Sequence, residues 1–120
     1  MTTKVALVHA GKAAVRGGIG RYEAELAFRL SALDGIEAFP RSPLELAPGG
    51  RLVQGSRAGS RIEKLVLASW QWARLPRDAK LLDQFDVVHA TSLAIPPTSK
   101  PLVVTVHDVI FLDWPSAFTP

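Results

Sequence analysis

Four short aliphatic runs constrain this chain more than any other feature: Lys4–His9 (KVALVH), Ile36–Phe39, Asp86–Thr91 (DVVHAT) and Pro101–Asp108 (PLVVTVHD). The longer ones are continuous rather than alternating in polarity, as expected of strands covered on both faces. Helical patterns separate the first run from the second and the second from the third. Strands joined through helices call for parallel pairing and right-handed crossovers. The expected fold is therefore α/β, a Rossmann-like open parallel sheet with flanking helices.

The first helix is expected over Gly20–Leu33. Ile19, Tyr22, Leu26, Leu30 and Leu33 recur at three- and four-residue spacing, and Asp34-Gly35 supplies stop chemistry. Pro40 is expected to end the second strand. From Arg41 to Ser60 no period holds; prolines, glycines and Arg41, Arg51 and Arg57 give a long basic loop. A second helix is expected from Arg61 to Leu75, with Ile62, Leu65, Val66, Ser69 and Ala73 as its inner stripe and Leu67, Trp70 and Trp72 widening it. A short helical turn is expected over Ala79–Leu82. The ending VIFLDWPSAFTP is apolar yet broken by Pro115 and Pro120, leaving Phe111, Trp114 and Phe118 in need of a surface. It reads as a cut through a longer domain.

Composition excludes several classes. Apolar residues make up 48% and charged residues 21%, which argues against wholesale disorder. A dispersed net charge of +3 does not argue for nucleic acid. With no cysteine there is neither a disulfide nor a thiolate metal site. The start of the chain lacks a signal-peptide pattern and no run is long enough to span a bilayer, so a cytoplasmic location is expected. Trp70, Trp72 and the loop arginines raise peripheral contact with an anionic membrane, beside the alternative of a core helix next to a solvated loop.

Candidate chemistry gathers where strands run out. Gly17, Gly18 and Gly20 open the first helix, after a loop that carries Gly11, Lys12 and Arg16. Glycines there leave backbone N–H groups at the positive end of the helix dipole open to phosphate or carboxylate. The alternative is a tight turn with close helix–sheet packing. No Gly-Lys-Ser/Thr closes the loop, and the dinucleotide fingerprint fails, which sets a dehydrogenase aside. His107 and Asp108 end the last run; an imidazole there would orient or deprotonate a hydroxyl, or would simply bond to backbone. His89 ends the neighbouring run and His9 the first. Their spacing lacks the short helical pairing of a metal site, so no metal is assigned.

Taken together, VALVH followed by GGIGRYEAEL, then DVVHATSLAIPP, then PLVVTVHDVIFLDWPSAFTP, resemble the N-terminal domain of family-four glycosyltransferases of the GT-B architecture. The resemblance covers nearly the whole chain, residues 1–120. It implies a retaining, metal-independent transfer without a cofactor, from a nucleotide-sugar donor to a hydroxyl acceptor on a glycan or lipid-linked chain. It puts Gly17 and Gly18 against the donor phosphates, His107 with Asp108 at the transferred sugar, and His89 on the cleft wall. His107 is then a positioning residue first and a base second. The family's C-terminal nucleotide-binding domain has no counterpart in these residues, so the piece is expected to be inactive alone. The alternative is a stand-alone Rossmann-like module that binds an acidic small molecule or a protein partner.

Overall fold

Continuous apolarity in Thr3–Val8 places strand β1 in the middle of the molecule, with Val5 through Val8 all buried. The computed structural model describes residues 1–9, 17–53 and 57–117. Strands β2 (Ile36–Arg41), β3 (Val87–Ala90) and β4 (Leu102–Val104) complete one sheet. Its order is β2-β1-β3-β4, and every pair is parallel. Helix α1 (Gly18–Ser31) joins β1 to β2, and α2 (Arg57–Trp72) lies in the connection from β2 to β3. This is the expected Rossmann-like α/β sheet. Because the chain leaves β1 in one direction and returns to its other side as β3, their carboxyl ends form a topological switch point.

Alternation along the strands gives each face its own cover. Ala6, Val8 and Val88 meet α2 through Val66 and Trp70, and Leu46, Leu82 and Phe85 close that core. Phe85 also meets Phe39, with ring centroids 5.6 Å apart. The other face, with Leu7 and His89, lies under α1. None of the residues of α1 is buried. Its inward side presents Gly20, Ala24 and Ala27, which leave a cavity of about 230 Å³ against Leu7, Pro40 and Thr91.

Several sequence expectations need correction. Pro40 lies inside β2 rather than ending it. Thr3 N–H bonds Gly35 and His9 N–H bonds Arg41, so the ladder uses odd-numbered residues and the missing N–H of Pro40 faces away from β1, where no strand lies among the described residues. The span Arg41–Ser60 is not patternless. A 3-10 turn, Leu44–Leu46, buries both leucines, and Ser42 and Glu45 cap it reciprocally. A second turn, Gly50–Val53, packs so closely that a Cβ on Gly50 would collide with the Leu44 carbonyl group. Helix α2 begins at Arg57, and its buried positions are Gly59, Val66 and Trp70, whereas Leu65 and Ala73 face outward. The turn after α2 covers Lys80–Gln84. In the tail, a one-turn helix α3 (Ile110–Asp113) and a 3-10 turn, Pro115–Ala117, form despite the prolines, and Phe118 lies outside the described residues.

Candidate functional site at the carboxyl end of the sheet

The site starts from the entry of α1. Gly17 takes φ +102°, a conformation that L side chains rarely adopt, and its carbonyl accepts the Arg21 N–H. Among the described residues no side chain caps the helix, and no acidic residue occupies its first turn. Among those residues the N–H groups of its first turn have no partner at the positive end of the dipole. Among the described residues, nothing lies within 4 Å of where a Cβ would stand on Gly17 or Gly18. The loop residues Gly11, Lys12 and Arg16 lie outside the described residues.

One turn further on, α1 is tied to the strand ends by two side chains. Tyr22 shares a hydrogen bond with the Thr105 hydroxyl (3.0 Å), and Thr105 Oγ1 also meets His89 Nε2 at 2.8 Å. A single chain of donors satisfies all three groups in either direction. Burial holds the His89 imidazole below its ordinary value of 6.5, which favours the neutral ring in this relay. The Tyr22 ring also meets His107 edge to face, with centroids 5.0 Å apart.

His107 Nε2 donates to the Thr91 carbonyl oxygen at 2.7 Å. A carbonyl can only accept, so the proton of the neutral ring sits on Nε2 and the lone pair on Nδ1. Thr91 is itself fully buried at the end of β3. Its hydroxyl lies 2.5 Å from Glu23 Oε1 and 3.1 Å from the Val8 carbonyl oxygen. The hydroxyl proton goes to the closer, charged acceptor, while the Thr91 N–H serves Val8.

The fold thus brings His107, His89 and the entry of α1 to one sheet edge. Asp108 Oδ1 accepts the Ile110 N–H at the start of α3. His9 lines the cavity under α1 with Glu23 and Thr91. Among the described residues, no group of three or more His, Asp or Glu side chains is placed to hold a metal ion. No family model, curated protein or solved structure matches the chain.

Sequence reasoning missed Tyr22, Glu23, Thr91 and Thr105 as a linking set. One signal was present: Glu23 sits between Ile19 and Ala27 at four-residue spacing, a carboxylate on the inward side of the helix. The hydroxyl residues gave none, because Thr is also an ordinary strand residue.

Proposed function

We propose that this chain forms the acceptor-side part of a retaining glycosyltransferase of the GT-B type. It would receive the diphosphate of a nucleotide sugar at the entry of α1 and a hydroxyl acceptor beside His107. The observation that carries this reading is the uncapped, glycine-opened start of α1 one turn from a histidine with a defined tautomer. In such a transfer the bond from the anomeric carbon to the phosphate oxygen breaks with its electron pair going to the diphosphate, the acceptor oxygen bonds to that carbon on the same face, and the acceptor's hydroxyl proton passes to the departing phosphate oxygen. Negative charge grows on the leaving diphosphate, where free N–H groups and the helix dipole stabilise it. His107 Nδ1 would accept a hydrogen bond from a sugar or acceptor hydroxyl and fix its direction. By the resemblance, the remaining nucleotide contacts come from a second domain.

The outer face of α2 extends the reading to an anionic membrane surface. Arg57, Arg61, Lys64, Leu65 and Trp72 fall at helical spacing on that face, and Trp72 is 83% exposed. Among the described residues no helix is long and apolar enough to cross a membrane.

The test is calorimetric titration with pyrophosphate and a panel of nucleoside diphosphate sugars, followed by transfer assays with mass-spectrometric readout. Binding that requires the diphosphate and weakens in His107→Ala supports the reading. Equal binding of unrelated acidic metabolites would move it to a binding module. Failure to bind any diphosphate would remove it.

A further inference from the structure

Contacts from two different elements meet on the His107 ring. An imidazole turns about its Cβ–Cγ bond in a broad, roughly two-fold well, so one hydrogen bond leaves the ring able to swing. The bond from Nε2 to the Thr91 carbonyl oxygen, 2.7 Å, holds one atom of the ring. The Tyr22 ring of α1 stands at 89° to the imidazole, with centroids 5.0 Å apart, and closes one side of it.

We infer that Tyr22 is a positioning residue for His107: its ring sets the plane of the imidazole, and its hydroxyl anchors that ring through Thr105. The inference rests on the reading of His107 as the residue beside the acceptor hydroxyl. Tyrosine joins an aromatic body to a polar tip, and here both are used. The body meets His107, and the tip meets the Thr105 hydroxyl at 3.0 Å. Thr105 is itself fixed, its N–H on the Ala90 carbonyl oxygen and its hydroxyl 2.8 Å from His89 Nε2. The Tyr22 side chain is therefore held at both ends, by the helix backbone and by Thr105. With Nε2 on Thr91 and the plane set by Tyr22, the Nδ1 lone pair points one way. A hydroxyl bound there is aligned as well as bound, and alignment is what a group-transfer step requires.

Nitrogen–proton correlation spectra of the histidine rings, recorded on the whole chain at mildly alkaline pH, test the inference without any transfer reaction. The diphosphate titration tests the reading beneath it, so the two fail separately. Wild-type His107 is expected as the Nε2-protonated tautomer with a slowly exchanging ring proton. Tyr22→Leu removes both ring and hydroxyl, and exchange of that proton is expected to rise about two- to tenfold, as loss of one edge-to-face pair implies. Thr105→Val keeps the side-chain shape and removes the anchor; a smaller rise is expected there, and none in Thr105→Ser. Amide spectra of β1 and β3 report whether each variant is folded, and if Tyr22→Leu is not, the Thr105 pair decides. A rise confined to the α1 amides, with His107 unchanged in folded Tyr22→Leu, makes Tyr22 a helix fastener only and overturns the inference. Equal His107 exchange in Thr105→Val and Thr105→Ser overturns it too, as does a wild-type ring that already averages its tautomers.

Discussion

At Gly17 the backbone turns to φ +102°, whereas Gly18 needs no such freedom and, among the described residues, has none within 4 Å of where a Cβ would go. Substitution separates the two demands. Gly17→Ala is expected to cost about 1–2 kcal/mol through backbone strain. Gly18→Ala is expected to change stability by no more than about 0.5 kcal/mol, yet to weaken pyrophosphate binding by crowding the N–H groups. Thermal melts beside calorimetric titration read both effects, and equal binding by wild type and Gly18→Ala would sink the phosphate assignment. His89 makes a different prediction. Its folded imidazole is held below 6.5 by burial, so the unfolded chain binds the proton more readily. The His89 contribution is therefore whole above 6.5 and is lost as pH falls from there through the depressed folded value. Urea midpoints across that range should fall on acidification in wild type and fall less in His89→Gln; parallel curves would refute the assignment.

Among the elements, strand identity was legible because aliphatic runs report burial directly. Boundaries were less so, since a boundary depends on which backbone groups find partners. Pro40 is the clear case: it stays in β2 because its missing N–H points away from β1, to the side where the strand has no partner among the described residues, a fact fixed by sheet order rather than local chemistry. The span 41–60 hid its order for a related reason. Leu44 and Leu46 are core residues on a turn too short to show a period, and Gly50 records a close approach that only the fold reveals. In α2 the apolar residues are spread widely enough to allow two stripes. Trp70, 4% exposed, belongs to the core, and Trp72 does not. Trp70→Ala is accordingly expected to destabilise by about 3–5 kcal/mol. Trp72→Ser should leave the melt within about 0.5 kcal/mol of wild type. If the outer face of α2 meets membranes as proposed, Trp72→Ser should also reduce co-sedimentation with anionic liposomes at low salt. Absence of wild-type binding there would remove the membrane proposal.

At the scale of the whole molecule, the place of His89 near the end of β3 could be read from sequence, whereas β4 stops at Val104 and leaves His107 and Asp108 three and four residues beyond it, in the connection to α3 and not at a strand end as expected. The way α1 is held over the sheet edge could not be read either, because the link runs through residues 68 and 83 positions apart in sequence. The helix buries no residue fully, and small side chains leave a cavity beneath it, so apolar packing alone fastens it weakly. Tyr22–Thr105 and Glu23–Thr91 fasten it instead, and the second bond is charge-assisted with Thr91 fully buried. The consequence is a division of stability. The amides of α1 should exchange with solvent faster than those of β1 and β3, as a unit that opens before the core. Thr91→Val keeps the shape of the side chain and removes its hydroxyl, leaving the Glu23 carboxylate without that donor. With Glu23→Gln as the second arm, a double-mutant cycle on urea stability should give a coupling of about 1–2 kcal/mol. Thr91→Val should also increase exchange in α1 without altering β1. A coupling near zero, or equal exchange in α1 and β1, would show that the helix is docked by packing after all. The glycine-opened entry would then owe its position to the sheet and not to these two side chains.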